Sequence, residues 1–268
     1  MSKDKERKKR KKKKKKKFRK LFVSTAAFIT AAVVVVFCVY HVYFETDYFN
    51  ISAIEVSGND AYNRDYIVEK SQIEEGGKIF EIDRERAKEI IEDEVYVESA
   101  RVVYELPDKI LIELKEREEK YKILYKNEYI VTDKNGYVLR TGSEKNELLT
   151  IESFIDVLYN VGDSIQLTGI ENVQEIFRTI DYISDEFGSS AVHGISIYSK
   201  NSILLKTEYG TVIKLNLNQD IKYQIVFALK IINERFSNNL GVSNGMIDFT
   251  KGDSPIYIED FEMEEYNE

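Results

Sequence analysis

The sequence predicts an α+β protein: a single transmembrane helix followed by two extracytoplasmic domains of mixed strands and helices. Three observations carry this. The chain opens with a lysine-rich block although its net charge is −8. An uncharged apolar stretch follows directly. Beyond it, alternating-apolar strands are interspersed with amphipathic helices. Residues 1–20 hold 15 Lys/Arg and 2 Asp/Glu, and the rest of the chain holds 24 basic against 45 acidic side chains. A charge asymmetry of this size means that the two parts meet different surroundings.

A lysine run fits a nucleic-acid arm, a nuclear signal or a membrane flank, and the next residues decide between them. From Leu21 to Phe44, LFVSTAAFITAAVVVVFCVYHVYF, there is no Asp, Glu, Lys or Arg. Twenty-four residues make a helix of roughly 36 Å, enough to cross a hydrocarbon core of roughly 30 Å. The run Val33–Val36 is poor for a soluble helix, an objection that lipid removes. Tyr40, Tyr43 and Phe44 stand at the far end, where an aromatic belt belongs. A cleaved signal peptide has an apolar region of about 7–15 residues and a small-residue cleavage site. This stretch is longer and its exit is bulky, so an uncleaved anchor over 21–44 is expected. Positive flanks stay in the cytoplasm. That makes Lys15, Lys16, Lys17, Arg19 and Lys20 the membrane flank, puts the tail 1–20 inside the plasma membrane, and puts the chain from residue 45 outside. The tail can also rest on anionic lipid; nucleic-acid binding is not needed to explain it and is not expected. Cys38, the single cysteine, falls within the span, so no disulfide supports the outer portion.

Residues 49–117 read as one domain. Ile51, Ala53, Ile54 and Val56 lead as a strand into a turn at Gly58-Asn59. Asn63 caps a short helix through Ile67 and Val68, and Gly76-Gly77 breaks the chain. Asp83 caps a second helix with Ala87, Ile90 and Ile91 at helical spacing. A hairpin follows. Ala100, Val102, Tyr104 and Leu106 alternate with Arg101, Val103 and Glu105. Beyond Pro107-Asp108, Ile110, Ile112 and Leu114 alternate with Leu111, Glu113 and Lys115. The order is β-α-α-β-β. With these features go the runs Ile51 to Asn59, Gly77 to Asp83, Val97 to Val102, Leu106 to Ile112, and Glu116-Arg117. Together, immediately outside one span with a basic tail, they resemble the POTRA domain of the FtsQ/DivIB cell-division family. The resemblance implies that residues 118–260 form the family's β domain, with a short acidic tail at 261–268.

The residues of that second domain agree. Tyr129–Val131 and Tyr137–Leu139 flank Asp133-Lys134-Asn135-Gly136, a hairpin signal. A helix is expected near 171–187, with Val173, Ile176, Phe177, Ile180 and Ile183 on one face. Strands follow near 195–199, 202–207 and 211–216. A second helix, 219–236, carries Ile221, Ile225, Ala228, Leu229, Ile232 and Phe236 at steps of three and four. Core packing explains both stripes. The chain closes with strands at Met246–Phe249 and Pro255–Glu259, which resemble the end of the family's β domain. Thr250 stands where the family carries a basic residue.

Pro255 bears on function. Proline cannot donate to a ladder, so it favours edge strands and strand starts. An edge with Ile256, Tyr257, Ile258 and Glu259 either invites an added strand or merely closes the sheet behind Glu262, Glu264 and Glu265. Residue chemistry leaves the two even. The resemblance favours the first, because the FtsQ edge is where FtsB-like (DivIC-like) partners are expected.

Chemistry is sparse. His41 is expected near the membrane exit and His193 in a turn before a strand. No His/Cys/carboxylate pattern suggests a metal, no phosphate-binding glycine motif occurs, and no Ser-x-x-Lys nucleophile occurs beyond the lysine run. No cofactor is expected, and the protein is not expected to be an enzyme. The resemblance implies a bitopic scaffold with FtsB/DivIC-like and FtsL-like partners. Through them it would reach an FtsW-like protein and a class B penicillin-binding protein that build the septal wall. Two other readings are a membrane-anchored peptidoglycan hydrolase using paired carboxylates and a POTRA-type export chaperone.

Overall fold

The computed structural model describes residues 2–126, 128–142, 148–252 and 254–261. The chain divides into two compact units. One runs to Ile91 and adds Ser99–Leu114; the other holds Glu92–Glu98 and the chain from Lys115.

The first unit begins with α1 (Ser2–Glu45), whose backbone continues without a break from the lysine run into the apolar stretch. The expected flank Lys15, Lys16, Lys17, Arg19 and Lys20 lies on this helix, and those side chains fall outside what the structure describes. Among the described residues, Phe22–Glu45 is the one helical segment long and apolar enough to cross a membrane, and none of it is buried. Cys38 is exposed on it.

After α1 come β1 (Ala53–Ser57), α2 (Arg64–Ser71), a 3-10 turn at Ile79–Glu81, α3 (Arg84–Glu92), β2 (Val97–Glu105) and β3 (Lys109–Glu116). Both expected caps are made. The Asn63 side chain accepts from Tyr66 N at 2.8 Å and Asp83 Oδ1 from Arg86 N at 3.0 Å, each satisfying an orphan helix-start donor. The sheet order is β1-β3-β2. β1 runs parallel to β3 with Ile54 beside Ile110 and Val56 beside Ile112. Ile54, Ile67, Ile79, Ala87, Ile91, Val102, Ile110 and Ile112 are buried between sheet and helices. Gly58 is required by its turn: its φ is +74°, and a Cβ there would lie 2.1 Å from Leu114 O. Leu106 does not join Ala100 and Val102 in the core. It stands exposed at the hairpin turn, where the Leu106–Pro107 peptide is cis.

The second unit holds β4 (Tyr121–Tyr125), β5 (Glu128–Thr132), β6 (Val138–Gly142), β7 (Leu149–Ser153), β8 (Val157–Leu158), β9 (Gln166–Leu167) and α4 (Val173–Ala191). It continues with β10 (Val192–Ser199), β11 (Ser202–Thr207), β12 (Val212–Asn216), α5 (Ile221–Ser237), β13 (Met246–Asp248) and β14 (Ile256–Ile258). Nine strands form one sheet in the order β14-β13-β12-β11-β10-β7-β4-β5-β6, and β8 pairs β9 separately. β7, parallel to both β4 and β10, joins the two halves. The register aligns one apolar row across eight strands: Ile130, Ile123, Ile151, Ile195, Leu205, Ile213, Ile247 and Tyr257. Ile176, Phe177, Ile180 and Ile183 of α4 and Ile225, Ala228 and Ile232 of α5 pack in the same cluster. Each such buried isoleucine or phenylalanine contributes about 1.5–3 kcal/mol. Two sequence expectations change here. Phe236 is 68% exposed instead of completing the buried face of α5. His193 lies inside β10 beside a register shift, exposed, and not in a turn.

A candidate docking edge at the end of the large sheet

β14 starts directly after Pro255, as a residue without a ladder donor favours. It pairs antiparallel with β13 through Met246–Ile258, Ile247–Tyr257 and Asp248–Ile256. Among the described residues no strand flanks its other side. A terminal strand leaves backbone donors and acceptors along its outer side for a further strand.

Side-chain alternation sorts the four expected docking residues into different roles. Tyr257 belongs to the row that faces the helices. The Arg235 guanidinium lies 3.7 Å above its ring centre, and its hydroxyl donates to Gly241 O at 3.2 Å. The ring passes over Gly245, where a Cβ would lie 2.1 Å from the Tyr257 hydroxyl oxygen. Arg235 also donates from Nε to Gly241 O at 3.0 Å and from Nη2 to Glu259 Oε1 at 2.9 Å. One side chain of α5 thus clamps the 241–245 loop, the middle of β14 and the residue just past it. Ile258 packs beside Leu204, Val212 and Met246 on the opposite face. Ile256 is 45% exposed and is the apolar side chain of the strand most open to a partner.

The outer surface of α5 adds to this edge. Tyr223, Val226, Phe236 and Leu240, just past the helix, are exposed. A shallow groove runs along the helix past Val226, Leu229, Lys230, Asn233 and Ser237. The Arg235 clamp ties the helix that carries this stripe to β14. Sequence reasoning missed Arg235, Gly245 and this second stripe. The stripe was detectable, because Tyr223 and Val226 are apolar off the face that Ile225, Ala228 and Ile232 bury. The clamp's contacts with Tyr257 and Glu259 join residues more than twenty positions apart and leave no local pattern.

Three enclosed carboxylates of the unit are committed to other partners. Glu119 receives Arg140 in a two-pronged contact, Nε to Oε1 at 2.6 Å and Nη2 to Oε2 at 2.9 Å, and the Tyr96 hydroxyl at 2.8 Å. The Arg140 hydrogen bond holds the Glu119 carboxyl below its usual range against the opposing effect of burial. Burial, followed by the Glu119 contact, pushes Tyr96 up to about 12. Asp133 pairs with Arg117 at 2.9 Å. Asp181 accepts from Lys120 at 2.5 Å and from Tyr121 at 2.8 Å. Burial alone would raise the Asp181 pKa, and these two donors bring it below the ordinary value. No cluster of three or more His, Cys, Asp or Glu that could hold a metal occurs among the described residues.

Comparison with known proteins agrees with this architecture. Residues 49–117 match the family model of the POTRA domain, FtsQ-type. The cell division protein DivIB of Clostridium tetani is 27% identical over 80% of this chain and 82% of its own. DivIB of Clostridium botulinum is 26% identical over 79% and 83%. The cell division protein FtsQ of Syntrophotalea carbinolica is 30% identical over 63% and 60%. One apolar helix near the N-terminus, a POTRA domain behind it and a β-rich second unit describe a single-pass membrane protein that is similar to the cell division proteins DivIB and FtsQ.

Proposed function

We propose that this chain is a non-catalytic, bitopic scaffold of the division apparatus. In this reading the lysine flank keeps residues 1–20 in the cytoplasm, and 21–44 crosses the plasma membrane. The POTRA domain (49–117) and the β domain (118–260) then work outside at the septum. Partners resembling FtsB/DivIC and FtsL dock a strand along Ile256, Tyr257, Ile258 and Glu259 and lay apolar side chains against α5. Through them the chain coordinates septal wall synthesis by an FtsW-like protein and a class B penicillin-binding protein. The observation that supports this most is the unflanked β14, held rigid from the helix side by Arg235. A pre-ordered edge captures a strand without itself being ordered on binding.

The structure refines the test. Tyr257 is partly a packing residue, so Tyr257→Lys would disturb the clamp as well as docking. Ile256→Lys changes the outer surface alone. Co-purification of the detergent-solubilised full chain with FtsB/DivIC-like and FtsL-like proteins should lose about tenfold in captured partner for Ile256→Lys, the effect of about 1.4 kcal/mol. Undiminished capture would remove this edge from the account.

A further inference from the structure

The first unit carries a second surface feature, at the end where α1 enters it. Among the described residues from 46 to 117, three large apolar side chains are exposed: Tyr48 at 59%, Phe80 at 47% and Leu106 at 61%. All three lie at this one end. β1 leads away from Asn50, while the β2–β3 turn returns to it, with Ser52 N donating to Asp108 O at 2.8 Å. The 3-10 turn carrying Phe80 is tied to the same place by Ile79 N to Phe49 O at 3.0 Å.

The join between α1 and this end is built, not slack. Lys78 Nζ donates to Thr46 O at 3.0 Å and lies 5.6 Å from the Tyr43 ring centre. Phe80 lies 6.1 Å from Tyr43, 5.4 Å from Phe49 and 5.6 Å from Tyr104, centre to centre. Arg84 lies over the Tyr104 ring, 4.2 Å from its centre. The last turn of the span and the near end of the domain therefore share one aromatic cluster, and four residues separate Glu45 from Asn50. A domain held this way cannot swing clear of the bilayer its own helix crosses.

We propose that Tyr48, Phe80 and Leu106 form a seat that rests the domain on the outer lipid interface, in continuity with the span. The occupant is the headgroup and upper acyl region of the bilayer. Aromatic rings with one polar end and apolar tips of turns are the side chains that gain from that layer. The seat fixes the height and facing of the domain above the membrane, which a flexible linker would leave free. This inference rests on the single-pass reading and not on any division partner, so it can fail while the docking edge stands.

The chain contains no tryptophan, so introduced tryptophans are sole reporters. Full-length Phe80→Trp, Leu106→Trp and Tyr62→Trp are reconstituted in phosphatidylethanolamine/phosphatidylglycerol vesicles, with and without lipids brominated near the top of the acyl chain. Tyr62 lies beyond the far end of β1, roughly 20 Å from the seat at strand rise. Emission from positions 80 and 106 should be blue-shifted and fall about twofold with brominated lipid, as interfacial rings do, while position 62 stays unchanged. Position 106 makes the test independent of the aromatic cluster itself. If 80 and 106 respond to brominated lipid no more than 62 does, the seat does not touch lipid and the proposal is overturned.

Discussion

The two ends of the nine-stranded sheet are finished in opposite ways. At the β6 end the chain folds back on the edge. Val138 N donates to Asp163 O and Gly162 N to Val138 O, both at 2.9 Å, and Tyr137 bridges Ser164. Arg140, on the same strand, is held by Glu119. At the β14 end no described segment does this; the strand is braced by Arg235 from the helix layer, by Ile258 packing on the opposite face and, just past it, by Phe261 N donating to Asn244 O at 2.6 Å. An exposed edge is a liability that proteins usually cover. Here the protein's own loop covers the start of one terminal strand, at Tyr137–Val138. The other is stiffened from behind and left unflanked among the described residues, as the proposed docking reading requires.

Substitutions at the two ends should separate stability from capture. The largest effect on stability belongs to the closed end. Gly136 has a φ of +79°, and a Cβ would lie 2.7 Å from the Phe177 ring. Gly136→Ala should cost about 2–4 kcal/mol in urea melts of the solubilised chain, from backbone strain and a clash in the core. Arg235→Ala should cost about 1–2 kcal/mol, the stacked ring and the hydrogen bonds together, and should also lower partner capture because β14 loosens. A melt indistinguishable from the parent would show that the clamp does not hold the strand. Ile256→Lys should leave stability within about 0.5 kcal/mol and reduce capture alone. Thr141→Lys, exposed on β6, should change neither, and a loss of capture there would erase the distinction between the ends.

Acid should also act on the closed end. The folded Glu119 carboxyl titrates below its unfolded value of about 4.3. Its contribution is therefore complete above that value and is lost as pH falls through the depressed one. Melting temperature should hold between pH 7 and 5 and drop below about pH 4. Glu119→Gln should flatten the drop, and an unchanged profile in that variant would assign it elsewhere.

Much of this was legible in the residues. Asn63 and Asp83 announce their helices because a capping side chain acts within three positions. Asp133-Lys134-Asn135-Gly136 announces its hairpin because Gly136 must take a positive φ. Pro255 marks the start of β14. What could not be read is non-local. β7 is a short segment whose central place depends on two parallel partners far away in the chain. Apolar periodicity placed Leu106 and Phe236 in regular patterns but could not say that both face outward, since period marks which residues share a face and not what the face meets. The structure puts Ile256–Ile258 at the end of the sheet order, with Glu259 just past the strand. Their division into Tyr257 inward and Ile256 outward needed the register with β13.

The most direct test of the docking edge is photo-crosslinking in living cells, with the photoreactive residue at position 256 in one strain and at 141 in another. Position 256 should yield a discrete adduct with a single-span division protein, and position 141 should yield none. Equal adducts from both positions, or none from 256 while the chain is present at its normal level, would contradict the claim that the unflanked end is where partners bind.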